Sequence, residues 1–185
     1  MSCDLTAGRL EPCKDGIGGV KAVYFLNYES SNPSVDAGDL ITDIDDGAAT
    51  PGAATAYKYD VKGASSLVQN IMASRENGTV YFEQVLNLSL KKLTSTDNKE
   101  LKLMAYGRPR IVIHDNAGNA YMVGTENGAD VTGGSAMTGQ AFGDMYGYTL
   151  VLTAQEQTLA NFLTGATAAD PFAGITTAVT IVEGT

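Results

Sequence analysis

The sequence predicts a mainly β protein, a sandwich or barrel that carries one α-helix. Its 21 glycines fall mostly between short apolar runs, which is typical of a β chain with many turns. Residues 65–93 contain two long strand candidates joined by a turn with Asn77-Gly78, a strong hairpin signal. Helix signals are confined to residues 96–107. Together these observations favour an all-β body with a single covering helix.

The length suits one domain. A chain of 185 residues can bury a core of ordinary size without metals or disulfides. We expect one β domain over residues 1–162. Residues 163–185 are rich in Ala, Thr and Gly and form a C-terminal extension with one predicted strand near 177–182. Whether this extension packs on the body or on a neighbouring molecule is left open.

The second arm of the hairpin divides into an apolar and a polar face. Side chains alternate between the two faces of a strand, so every second residue points the same way. The apolar face, interrupted only by Gln84, gives the core candidates Phe82, Leu86, Leu88 and Leu90. The polar face gives the assembly or lumen candidates Glu83, Asn87, Ser89 and Lys91. An arm of about fourteen residues is far longer than a usual strand, which indicates that it extends onto a neighbouring subunit or into a barrel wall.

The helix is predicted to begin near Thr96 or Asp97. Asp97 with Glu100 three positions later is typical of a capping box. We expect the helix to end at Gly107. Leu101 and Met104 form its apolar stripe and are core candidates, which predicts a helix lying with one side against a sheet. We expect that sheet to present the apolar face of the second hairpin arm to the helix.

Further strands are predicted in the remaining apolar runs. They cover residues 21–28, 39–44, 57–61, 110–114, 120–125 and 148–153. Residues 48–56 are interpreted as a loop, and 115–119 as a tight turn. The glycine-rich segment 128–147 is too apolar for a plain linker and is not assigned an element.

Charge and cysteine content exclude several classes of function. A net charge of −9 with a pI near 4.4 excludes affinity-driven binding to nucleic acid. The same acidity suits a wall past which DNA slides, or it serves solubility alone. No run approaches the roughly 20 apolar residues of a membrane span, and residues 1–4 lack the features of a signal peptide. Cys3 and Cys13 are expected to be free thiols in the cytoplasm, although pairing after release is an alternative.

No constellation of residues points to catalysis, a metal or a cofactor. A nucleophilic triad would require His114, the single histidine, which follows a predicted strand without any nucleophile motif. The acidic run 43–47 has no carboxylate at the twelfth position of a calcium loop and is interpreted as a solvated turn. The glycines of 130–134 lack the Lys and Ser/Thr of a phosphate-binding loop. We therefore predict a protein that is not an enzyme and has neither cofactor nor metal.

Several motifs resemble those of virion structural proteins of tailed phages, particularly phages of Bacteroidetes. The resemblance runs over roughly residues 3–155. The motifs that carry it lie at residues 3–6, 13–15, 18–21, 76–84, 101–108, 126–128 and 147–150. Within this group, the order of long hairpin, single helix and further strands is similar to that of tail tube proteins.

The resemblance implies a function in assembly. Tail tube subunits form stacked rings, commonly hexameric, around a conduit for viral DNA that passes without specific binding. The resemblance implies that the chain associates with copies of itself and with other tail or neck proteins. It also implies assembly in the host cytoplasm and a location in the virion tail. Alternatives are a head-to-tail connector or collar, a head-decoration protein, or a glycan-binding β-sandwich module that does not self-associate.

Overall fold

A computed structural model describes residues 7–10, 13–14, 16–49, 51–62 and 64–184. This part of the chain is mainly β, with one α-helix, which confirms the predicted fold class. The helix is α1 (Ser95–Tyr106). The strands are β1 (Val20–Leu26), β2 (Asn32–Val35), β3 (Leu40–Asp45), β4 (Thr55–Asp60), β5 (Ser66–Ser74), β6 (Thr79–Lys91), β7 (Arg110–Asp115), β8 (Ala120–Val123), β9 (Asp130–Met137), β10 (Gly147–Glu156), β11 (Asn161–Leu163) and β12 (Thr180–Glu183).

The strands form two sheets that pack face to face. The large sheet has eight strands in the order β12-β4-β1-β7-β8-β11-β3-β2. The small sheet has four strands in the order β5-β6-β10-β9, all antiparallel. Between β3 and β4 an isolated bridge joins Asp45 to Ala53, so the large sheet curls until these two strands meet at one end. The large sheet therefore resembles a small barrel with the small sheet packed on its outside.

Strand β1 is the centre of the molecule, because both of its faces are buried. Tyr24 and Leu26 point into the curled sheet, where they share a core with residues of β3, β4, β8 and the C-terminal segment. Val23 and Phe25 point the other way, into the core between the two sheets. A strand buried on both faces is apolar at consecutive positions. This explains the high apolar content of both faces that the sequence shows at residues 21–28.

The long hairpin is present as predicted. Strands β5 and β6 are joined by residues 75–78, and Gly78 adopts a positive φ of 64° that suits glycine. Strand β6 is 13 residues long. Leu86 and Leu88 are buried, Leu90 is half-buried against the same core, and Phe82 is half-buried near the end of the small sheet.

The partner of the apolar face of β6 differs from the prediction. We expected this face to pack against the helix, whereas Leu86 and Leu88 share the inter-sheet core with Phe25 and Ile111 of the large sheet. The helix contributes only half-buried side chains, Leu101 and Met104, and none of its residues is buried. A second sheet offers a wider apolar surface than one helix, so it covers the strand instead.

The buried Gln84 interrupts the apolar face for a structural reason. Its side-chain amide donates to the Thr158 carbonyl at 3.1 Å, and its Oε1 accepts from the Gly124 backbone N–H at 3.1 Å. Both polar ends of this buried side chain are therefore satisfied, as burial requires. Gln84 ties the small sheet to the loop that follows β8.

Helix α1 begins one residue earlier than predicted, and its cap is a different residue. The Thr94 side chain accepts from the Asp97 backbone N–H at 3.1 Å, so Thr94 is the N-cap and the predicted Asp97–Glu100 capping box is wrong. A threonine hydroxyl satisfies one of the free N–H groups of the first turn. The helix ends before Gly107, as expected.

Three strands were not predicted. They are β2, β9 and β11. Strand β9 lies inside the glycine-rich segment, where Gly133 and Gly134 stand opposite Val151 and Leu150. Glycine has a weak strand preference, so pairing with β10 overrides the local sequence.

The C-terminal segment packs on the body of the same molecule. Strand β11 spans position 162 and pairs with β3 and β8, and β12 pairs in parallel with β4. Between them Phe172 is buried in the core of the large sheet, edge to face with Tyr24 at 5.3 Å between ring centroids. Residues 163–183 thus cover the open side of the curled sheet.

The inter-sheet core predicts a large cost for truncation. Leu86→Ala should lower the free energy of unfolding by about 2–5 kcal/mol, because it leaves a cavity between the sheets. Val68→Ala, on an exposed position of the neighbouring strand, should change it by less than about 1 kcal/mol. Urea denaturation followed by circular dichroism measures both values. Equal losses would show that the inter-sheet contact does not stabilise the fold.

Candidate assembly surface

The outer face of the small sheet carries no buried side chain among the residues that the structure describes. The pairing registers place alternate residues of β5, β6 and β10 on this face, directed away from the inter-sheet core. All of these side chains are exposed or half-buried. The apolar ones are Val68, Met72, Tyr81, Val85 and Val151, and the polar ones are Asn70, Glu83, Asn87, Ser89, Lys91, Thr149, Thr153 and Gln155.

All four assembly candidates taken from the sequence lie on this outer face. Glu83, Asn87, Ser89 and Lys91 occupy alternate positions along β6 and pair with outward residues of β10. Two hydroxyl pairs extend the polar surface toward β9, Thr132 with Thr153 at 2.9 Å and Ser135 with Thr149 at 2.8 Å. The outer face is thus rich in amides and hydroxyls.

The outer face is nearly neutral. Among the side chains that β5, β6 and β10 place on it, only Glu83 and Lys91 carry a charge at neutral pH. The acidity of the chain is therefore located elsewhere, with five aspartates between positions 36 and 46. A face with few charges neither binds nor strongly repels phosphate.

Both edges of the small sheet are unpaired. Strand β5 bonds only to β6, and β9 only to β10, within the residues that the structure describes. These edge strands have nine and eight residues. Neither carries a proline or a lysine, the residues that commonly protect an exposed edge. By contrast, edge strand β2 is short and contains Pro33.

The β5–β6 hairpin extends beyond the large sheet. Near its turn, Ile71 and Val80 point to the side of the large sheet, yet they are 64% and 59% exposed. Met72 and Tyr81 on the outer face are exposed as well. We call residues 71–82 the hairpin overhang. Apolar side chains on both faces of a protruding ribbon are typical of a surface that a partner covers.

A second apolar projection lies in the loop between β9 and β10, residues 138–146, which we call the Phe142 loop. The Phe142 side chain is fully exposed, and Tyr146 is 48% exposed. The Asp144 carboxylate accepts from the backbone N–H groups of Gln140 and Ala141, both at 2.8 Å. These bonds lower the pKa of Asp144 and hold the turn in shape. The loop therefore presents an aromatic ring on a hydrogen-bonded turn.

A groove of about 800 Å³ lies between helix α1 and strands β1 and β4. Its walls include four tyrosines, Tyr28, Tyr57, Tyr59 and Tyr106. Burial raises the pKa of Tyr59, while Tyr106 is 79% exposed at the rim. This groove could not be predicted from the sequence, because its tyrosines come from separate segments of the chain.

Arg110 and Glu156 support the loop that follows β8. Arg110 is buried, and its guanidinium donates to the carbonyls of Thr125, Tyr28 and Ser31 while lying 4.1 Å from the Tyr28 ring centroid. The Glu156 carboxylate accepts from the N–H groups of residues 126 and 127. Burial raises the pKa of Glu156, although those N–H bonds and Arg110 oppose the shift. Both ionic groups are engaged by backbone, which gives them a structural role.

The carboxylates of the acidic run 43–47 accept hydrogen bonds from the protein itself. The Asp46 carboxylate accepts from the N–H groups of Gly52 and Ala48, and these bonds lower the pKa of Asp46. Asp43 accepts from the backbone and hydroxyl of Thr177. Among the described residues, no three His, Cys, Asp or Glu side chains form a group that could hold a metal ion.

The remaining predictions concern membranes and cysteines. No helix in the described part of the chain combines the length and hydropathy of a membrane span. Cys13 is exposed with a free thiol. Cys3 lies outside the described residues.

Comparisons with protein-family models, with curated proteins and with solved structures find no match to this chain.

His114 makes a structural contact with the C-terminal segment. The imidazole is buried, and its Nε2–H donates to the Thr167 carbonyl at 2.9 Å, which attaches the C-terminal segment to β7. Burial lowers the pKa of His114 from its ordinary value of 6.5, and Lys21 adds to the shift, while the Thr167 bond, Asp115 and Asp170 oppose it. The ring is therefore neutral at pH 7.

This neutral histidine predicts a loss of stability in mild acid. Below pH 6.5 the unfolded chain takes up a proton that the folded ring resists, so the free energy of unfolding falls as the pH falls. The loss is at most about 1.4 kcal/mol per pH unit and ends at the lowered pKa. Urea denaturation at pH 7.5 and 5.5 should show a larger decrease for the natural protein than for His114→Gln. Equal decreases would contradict the assignment.

Proposed function

We propose that this protein is a self-assembling structural subunit, a tail tube protein of a tailed phage. The observation that carries the proposal is a small sheet with two unpaired edges and an outer face that has no covering layer. Such a sheet can be extended by a copy on each side. Repeated around an axis, edge-to-edge pairing of β5 with β9 of the next copy closes a ring.

The composition of the outer face supports its placement on the inner wall of the ring. In a closed ring the large sheets lie outside and the outer faces of the small sheets line the hole. Glu83, Asn87, Ser89 and Lys91 then face the lumen. A wall of amides and hydroxyls with few charges lets a polyanion pass without counterion-releasing contacts, which suits a conduit for DNA better than a binding site.

The hairpin overhang supports contact between subunits. Ile71 and Val80 are exposed on the side where residues nearer the base of the hairpin meet the large sheet. In an assembly, a second copy can cover them. The order of long hairpin, single helix and further strands, which is similar to that of tail tube proteins, favours a tube subunit over a connector, collar or head-decoration protein.

Electron microscopy of the purified protein tests the proposal. We expect stacked rings with a central hole in negative stain at high protein concentration. A protein that stays monomeric at millimolar concentration would overturn the proposal.

Paired proline substitutions in β5 test the edge directly. In an antiparallel strand, successive N–H groups point to opposite sides. Of Asn70→Pro and Ile71→Pro, we therefore expect one to remove a bond to β6 and unfold the hairpin. The other removes only an outward donor. It should keep its thermal stability within a few degrees and remain monomeric by light scattering. A folded proline variant that assembles normally would show that β5 is not the joining edge.

A second candidate function is carbohydrate binding, favoured by the tyrosine-lined groove beside α1. Aromatic rings with polar rims bind sugars by stacking and hydrogen bonding. Glu29, Glu100 and Arg108 supply polar groups at this groove.

Titration with hexasaccharides of glucose and N-acetylglucosamine, followed by NMR, tests this candidate. We expect Tyr106→Ala to weaken binding at least tenfold, about 1.4 kcal/mol. Tyr146→Ala, an exposed tyrosine outside the groove, is the matched control. No binding by the natural protein would exclude the candidate for these sugars.

A further inference from the structure

We propose that the two ends of the small sheet are a complementary pair, and that the Phe142 loop of one copy docks onto the hairpin overhang of a second copy. The inference deepens the proposed function, on which it rests, by naming the contact that stacks one ring on the next. The occupant of each surface is thus a second copy of this chain.

The registers place these two surfaces at opposite ends of the same sheet. Lys91 pairs with Gly147, next to the Phe142 loop. Phe82 pairs with Glu156 at the other end, next to the hairpin overhang. One end of each copy can therefore meet the opposite end of another along the strand direction.

Both surfaces present apolar groups for burial. The Phe142 loop offers Phe142 and Tyr146, with Met145 36% exposed beside them. The hairpin overhang offers Ile71 and Val80 on its inner side. Docking would remove this apolar surface from water at about 25 cal/mol per Å². Because Asp144 already holds the Phe142 loop in shape, little conformational entropy is lost when it docks.

The charges at the two ends are complementary. Lys91 and Lys92 lie beside the Phe142 loop, Glu76 lies on the hairpin overhang, and Glu83 lies next to it on β6. Asp144 in the Phe142 loop and Arg75 in the hairpin turn also carry opposite charges. Among the described residues, the ion pairs present involve none of these six side chains. Each charge therefore has an opposite counterpart on the next copy and none within its own.

A contact between two different surfaces repeats without closing. Loop-to-overhang docking leaves a free loop at one end of every pair and a free overhang at the other, so copies add head to tail. When the copies belong to rings, each ring-to-ring junction contains one such contact per subunit. Contacts that are individually small then sum to a stable junction.

Removal of the aromatic ring is the first test. We expect full-length Phe142→Ala to form single rings with a central hole, but at least tenfold fewer stacked rings than the natural protein in negative stain. Val182→Ala shortens another exposed apolar side chain, on β12, and should stack normally. Circular dichroism confirms that both variants are folded, since neither side chain is buried. Stacks of normal length from Phe142→Ala would overturn the inference and leave the proposed function standing.

Charge reversal is the second test, and compensating substitutions in the same chain should restore stacking. Lys91→Glu with Lys92→Glu should shorten the stacks, because like charges then meet at the junction. Adding Glu76→Lys and Glu83→Lys to the same chain should restore them. A quadruple variant that stays as single rings would contradict the pairing of these two ends. Failure of the natural protein to form any ring would instead overturn the proposed function together with this inference.

Discussion

The two-sided burial of the large sheet is the constraint on which the rest of the structure depends. Val23 and Phe25 of β1 face the small sheet, while Tyr24 and Leu26 face the interior of the curled sheet. Both faces of the central strands are therefore covered by the chain itself. The C-terminal segment, through Phe172, covers the interior. Among the described residues no such cover lies on the outer face of the small sheet, so this face is accessible.

This arrangement separates stability from assembly. Leu86, Leu152 and Ile111 lie in the core between the sheets and stabilise the single molecule. The outward residues of the same strands, such as Asn87 and Val151, contribute little to that core. A single strand can serve both purposes, because its side chains alternate between two faces. The residues of one face pack in the core, and those of the other face are available for contact with a partner. Strand β6 shows this directly, because its apolar face lies in the core and its polar face lies on the outer surface.

The fold class, the long hairpin and the single helix could be predicted from the sequence because their signals are local. The Asn77-Gly78 turn and the alternation of β6 depend on near neighbours only. The cap at Thr94 and the strand β9 could not be predicted in this way. Thr94 lies seven residues before Leu101, the first apolar residue of the helix, and Gly133 and Gly134 form a strand only because β10 lies beside them.

The candidate surface could be predicted only in part for a similar reason. Glu83, Asn87, Ser89 and Lys91 share one face because they belong to one strand, and a period of two was sufficient to group them. The Phe142 loop and the tyrosine-lined groove depend on distant segments of chain. Tyr57 and Tyr106 line the same groove although forty-nine positions separate them in the sequence. A local sequence pattern cannot predict such a contact.

The path of the C-terminal segment has a consequence for synthesis. The interior of the large sheet is lined by residues from β1 near the start of the described chain and by Phe172 near its end. The small sheet is complete once β10 has been made, before β11, Phe172 and β12 emerge. A nascent chain therefore displays its unpaired edges while the interior of the large sheet is still open to water. Contacts between distant parts of the chain slow folding and prolong the exposure of the unpaired strand edges. Newly made chains are therefore most at risk of premature association during this interval.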